Sequence, residues 1–116
     1  KSSDTELFPI TFMFIRVRKG DRYFSRDAIF RIMDFIKGSM GKNHVTAELS
    51  KGYFVVIMYK TDLAAAEKTR EEMLSKWEAF SKGAELETVL REVVSTENPR
   101  NTFYHEKDRL LDLANW

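Results

Sequence analysis

Hydrophobic and polar positions alternate along this chain in two different rhythms, and a few stretches have almost no polar positions at all. The run Tyr53 to Tyr59, preceded by Gly52, is wholly apolar or aromatic. It is too short to cross a bilayer and too rich in β-branched and aromatic residues to favour a helix. The reading is a strand buried on both faces, with Tyr53, Val55, Ile57 and Tyr59 on one side and Phe54, Val56 and Met58 on the other. Residues 10–17 repeat the pattern. Ile10, Phe12, Phe14 and Arg16 share one face and Thr11, Met13, Ile15 and Val17 the other, so a second central strand is expected. Residues 44–50 alternate more plainly, Val45, Ala47 and Leu49 against Thr46, Glu48 and Ser50. Ser50-Lys51-Gly52 then joins this half-buried strand to the apolar run as an antiparallel hairpin.

The helical rhythm appears between these strands and after them. Ser25 is placed to cap a helix in which Ile29, Ile32, Met33, Ile36 and Met40 recur at helical spacing before Gly41. Thr61 or Asp62 caps a second helix running to about Lys82, with Leu63, Ala66, Met73, Leu74, Trp77 and Phe80 as its inner stripe. The spacing of Leu86, Val89, Leu90, Val93 and Val94 predicts a third helix, broken at Asn98-Pro99. In the tail, Thr102 to His105 reads either as a short strand or as the cap and start of a last helix. A helix is favoured after Glu106.

The elements therefore read strand, helix, strand, strand, helix, followed by further C-terminal helices. The expected fold is α+β with a ferredoxin-like βαββα order, its antiparallel sheet covered by helices on one face. A fourth strand would have to come from the tail. Helices on one side would bury Met13, Ile15, Phe54, Val56 and Met58. The reverse side would then expose Phe12, Phe14, Tyr53, Val55 and Tyr59, a patch too apolar to face water without a partner.

Composition narrows the options. The 116 residues, 43% of them hydrophobic, suit one domain over 9–116 behind a flexible segment 1–8. The absence of cysteine excludes disulfides, thiolate nucleophiles and cysteine-ligated metals, and fits a reducing, intracellular compartment, cytoplasm or nucleus. No apolar run approaches membrane-spanning length, so no membrane partner is expected. The net charge of +1 conceals an asymmetry. Residues 1–60 carry 11 Lys or Arg against 6 Asp or Glu, and residues 61–116 carry 8 against 12. The basic half could meet phosphate or an acidic partner, or the two halves could attract each other within the fold.

Lys51-Gly52-Tyr53 with Val56, on the third strand, resembles the start and the valine of the octapeptide of RNA-recognition motifs. Phe14 within Met13-Phe14-Ile15 resembles the aromatic of that family's hexapeptide. The resemblance covers roughly residues 10 to 66. Val55 stands where a second stacking aromatic belongs, Phe54 replaces a small residue, and the helix after Thr61 is longer than the family's. What the resemblance implies is a sheet face that stacks bases. Read on the residues, the nucleic-acid site would comprise Phe12, Phe14, Arg16, Arg18, Lys19, Arg22, Tyr23, Lys42, Lys51 and Tyr53, with single-stranded RNA as the ligand.

The alternative is a protein-interaction or homodimerisation module that uses the apolar sheet face or the C-terminal helix. Tyr59, Leu110, Leu113 and Trp116 would be its contact residues. Enzymatic readings find no support in the residues. His44 and His105 have no metal-ligand spacing, the carboxylates of residues 67–97 sit among Lys and Arg on outer helical faces, and no phosphate loop or nucleophile elbow is present. A non-enzymatic or regulatory domain is expected, with no catalytic residues, no metal and no cofactor.

Overall fold

The computed structural model describes residues 8–18, 25–40, 44–50, 52–80, 84–93 and 98–112. Their order is β1 (Ile10–Arg18), α1 (Arg26–Ser39), β2 (His44–Ser50), β3 (Tyr53–Met58), α2 (Leu63–Phe80), β4 (Glu85–Val93) and α3 (Pro99–Asp112). The four strands form one antiparallel sheet in the order β2-β3-β1-β4. The fold is thus α+β, and both strands expected to be central are central.

Two expectations are corrected. The segment expected to be a third helix, Leu86 to Val94, is strand β4 up to Val93, so the order is β-α-β-β-α-β-α. Apolar residues at 86, 89/90 and 93 satisfy a helical stripe and a strand equally well. The β-branched Thr88, Val89 and Val93 fit a pleat better, and the apolar β1 needs a ladder partner on its second edge. The fourth strand comes from here and not from the tail. The second correction is that helices lie on both sheet faces, because α3 packs opposite to α1 and α2.

The α1/α2 side is a closed core. Met13, Ile15 and Val17 of β1 and Phe54, Val56 and Met58 of β3 meet Ile29, Ile32 and Ile36 of α1 and Ala66, Met73 and Trp77 of α2. Phe35 stacks on Phe80 at 4.6 Å and meets Trp77 edge-on at 5.3 Å, joining the two helices. The Trp77 indole N–H donates to the Ala84 carbonyl at 2.9 Å, which ties the end of α2 to the entry of β4. Leu63 and Phe80, read as part of the inner stripe, are the first and last residues of α2 and are 38% and 43% exposed.

Each helix start is written in the sequence. The Ala28 N–H donates to Ser25 Oγ at 3.1 Å, and the Ala65 N–H donates to Asp62 Oδ1 at 2.8 Å. Gly52 turns the β2–β3 hairpin with φ +80°, and its carbonyl accepts from the Val17 N–H at 2.8 Å. A Cβ there would lie 3.0 Å from the Val17 oxygen, so the turn and the close approach both require glycine.

Candidate functional site

The far side of the sheet, away from α1 and α2, divides into an apolar half and a charged half because β1 itself does. Ile10, Phe12 and Phe14 lie toward one end, Arg16 and Arg18 toward the other. Register completes each half. Phe12 is flanked by Ile57 and Arg91, Phe14 by Val55 and Val89, Arg16 by Tyr53 and Glu87, and Arg18 by Glu85.

Helix α3 covers the apolar half. Asn98 caps it, accepting the Asn101 N–H on Oδ1 at 3.1 Å, and Pro99 takes the first helical position, where a missing N–H costs nothing. The helix therefore begins at Pro99, with Asn98 rather than Thr102 as its cap, and Thr102 to His105 are helical. Phe103 reaches down one turn later. Its ring stacks on Phe14 at 5.9 Å and meets Phe12 edge-on at 5.7 Å. Glu106, also facing the sheet and nearly buried, accepts from Arg91 Nε of β4 at 3.4 Å. Ring contacts from Phe103 to Phe12 and Phe14 and the Arg91–Glu106 ion pair fasten the helix to the sheet.

Four of the expected nucleic-acid residues, Phe12, Phe14, Arg16 and Tyr53, are engaged within the fold and do not form the open platform expected. Phe12 and Phe14 stand side by side on the expected face, but each is only 2% exposed, shut by Phe103. Val55 is buried with them. Arg16 is buried and paired with Glu87, its Nε donating to Oε1 at 2.7 Å. Burial pulls the Arg16 guanidinium downward in pKa, but hydrogen bonds to Tyr53 and Glu87 and their charges outweigh this and hold it above the ordinary value. Half-buried Tyr53 thus serves Arg16 rather than standing as an open ring. Arg18 is the outward member, its side chain 52% exposed and 3.9 Å from Glu87. Lys19, Arg22, Tyr23, Lys42, Lys51, Leu113 and Trp116 lie outside the described residues, as does the side chain of Leu110.

Between α3 and the strands runs a groove of about 260 Å³, lined by Ile10, Phe12, Ile57, Tyr59, Pro99, Arg100, Phe103 and Tyr104. Two expected residues line it: Tyr59, expected as a partner contact, and Phe12, expected as a nucleic-acid contact. Tyr104 stands on the rim, 46% exposed, with Arg100 Cζ at 6.0 Å and Lys107 Nζ at 5.4 Å from its ring centroid. Exposed Lys60 follows Tyr59, with φ +55° where the chain leaves β3. The groove therefore has an apolar floor, with Arg100 in its lining and Lys107 over Tyr104 at its rim. Sequence reasoning missed Ile10, Ile57, Pro99, Arg100, Phe103 and Tyr104 as site residues. Their signal was present: Asn98-Pro99 is a helix start as readily as a helix stop, and Pro99, Phe103 and Glu106 then recur at helical spacing. Among the described residues no group of three His, Asp or Glu side chains could hold a metal ion. No described helix is long and apolar enough to cross a membrane.

No protein-family model matches the chain, and no curated protein does. Among solved structures, the chain is similar to the crystal structure of a DGC protein from Thermotoga maritima, with a TM-score of 0.58 and 12% identity. The match covers 81% of this chain and 70% of that one. Likeness at this identity establishes a shared fold.

Proposed function

We propose that this chain is a non-enzymatic interaction domain that takes an apolar anchor, carried on an acidic segment of a partner protein, into the groove beside α3. The observation that carries this reading is the groove's composition: apolar and aromatic walls with Arg100 in the lining and Lys107 over the Tyr104 ring at the rim. At about 260 Å³ it is smaller than the roughly 300–1,000 Å³ of sites for drug-sized ligands, and suits one large side chain. Aromatic and Arg groups around a desolvated pocket are where binding energy concentrates in protein interfaces. Stacking of RNA on the sheet is the less favoured reading, because Phe12 and Phe14 are covered and Arg16 is engaged within the fold.

The test uses a fluorescent acidic peptide with one central Trp, its counterpart with Ala at that position, and a short single-stranded RNA. The Trp peptide is expected to bind and the Ala peptide to bind at least tenfold more weakly. Tyr104→Ala and Arg100→Glu should each weaken the Trp peptide severalfold while leaving the melting temperature within a few degrees, since both side chains are exposed. Equal binding of the two peptides, or indifference to both substitutions, would remove the proposal. RNA binding that Arg18→Ala weakens would reinstate the sheet-face reading in its place.

A further inference from the structure

We infer that β4 is a pairing edge for a second copy of this chain, the two strands running antiparallel about a twofold axis at Val89. This rests on the sheet's edges and not on the α3 groove. Strands β2 and β4 both bound the sheet, and the two edges are built differently. The β2 ladder is interrupted by a register shift between Glu48 and Ser50, an irregularity that discourages further pairing. β4 is a regular nine-residue strand, in unbroken register with β1 from Glu85 to Val93. Among the described residues no strand pairs with its outer side. A long, straight edge with a row of ladder groups is a template for another strand.

The side chains of β4 select which strand. In a continuous sheet, paired residues must point to the same face, so a twofold axis passes through a residue. Val89 is the midpoint of Glu85–Val93, and an axis there is the one that pairs all nine residues. With that register Val89 meets Val89 of the second copy, and Glu87 of each copy lies opposite Arg91 of the other, twice. Opposite charges directly across a ladder attract, whereas a strand carrying one sign of charge would repel itself. Glu87 already receives Arg16 and Arg18, and Arg91 already holds Glu106 through Nε and donates from a terminal nitrogen to the Glu92 main-chain carbonyl. Each has room for this further contact because a carboxylate accepts several hydrogen bonds and a guanidinium donates five. The product is a continuous sheet in the order β2-β3-β1-β4-β4-β1-β3-β2.

The absence of cysteine allows a direct test with single thiols. Residues directly opposite each other in antiparallel strands have Cα atoms about 4.5–5.5 Å apart, within reach of a disulfide. Under mild oxidation Val89→Cys is expected to form a covalent dimer. Val45→Cys, an exposed position on the β2 edge, should stay largely monomeric, and Thr88→Cys should lag Val89→Cys at least tenfold. Unmodified protein should show a concentration-dependent dimer by sedimentation. Val89→Cys chains that link no faster than Val45→Cys chains, or unmodified chains that remain monomeric up to about millimolar concentration, would overturn the inference. Faster linking of Thr88→Cys would overturn the axis.

Discussion

The two faces of the sheet are closed by different means. On one, α1 and α2 lay down a dry layer in which Met13, Ile15, Phe54 and Val56 are wholly buried and the helices are joined to each other by Phe35, Trp77 and Phe80. On the other, α3 packs through Phe103 on Phe12 and Phe14 and through the Arg91–Glu106 ion pair, and leaves a groove along its flank. The first face holds the larger buried cluster. The second buries a smaller one and keeps an apolar groove open to solvent beside it. The difference follows from the helices: α1 presents Ile29, Ile32 and Ile36 as a buried stripe, whereas among the described side chains of α3 only Glu106 is buried, at 9% exposure.

The contrast can be broken by substitution, beginning with the closed face. Phe54→Ala should cost about 3–5 kcal/mol, since it empties a large ring's volume between β3 and both helices. A denaturant midpoint close to that of the parent would mean this layer is not the main core. Phe103→Ala should cost less, about 2 kcal/mol, because the ring is only partly buried, yet it should uncover Phe12 and Phe14. The expected sign is a rise in binding of a hydrophobic dye to a chain that still unfolds cooperatively. Unchanged dye fluorescence would show that α3 does not act as the cover.

Within the charged half of the far face, Glu87→Gln should cost about 1–2 kcal/mol, at the low end for a charge-assisted pair because Glu87 is more than a third exposed. Arg16 is held above its ordinary pKa, so its contribution is full below the unfolded-state value and fades only as pH rises through the still higher native one. Stability measured by urea titration across the neutral range should therefore show no loss traceable to this group. A fall in stability between pH 6 and pH 9 that Arg16→Met abolishes would contradict this. The smallest effect is expected at the hairpin, where Gly52→Ala should cost about 1 kcal/mol through its positive φ and the nearby Val17 carbonyl. A melting temperature equal to the parent's would mean the turn adapts.

The strands and helices that were legible in the sequence are those whose local signals agree. β1 and β3 announce themselves by apolar residues on both faces, and α1 by Ser25 followed by Ile29, Ile32 and Ile36. β4 was not legible, because Leu86, Val89, Leu90 and Val93 satisfy either period and the deciding fact is the open edge of β1, a long-range one. The candidate site was legible in its floor and not in its roof. Alternation along β1 put Phe12 and Phe14 on the same side, but no local pattern says that a helix dozens of residues later returns to cover them. Arg16 shows the same division: its place on the strand is readable, and its partner Glu87 is not.

By itself the sequence determined the class of fold, the central strands, the helix cap at Ser25, a second cap at Thr61 or Asp62, and the glycine at position 52, because each depends on residues within a turn or two of one another. Only the tertiary structure decided the fourth strand, the side to which α3 returns, and whether the aromatic face is open or shut. Those outcomes depend on contacts between segments far apart in the chain, where the free energy of closing a loop and burying a shared surface outweighs local preference.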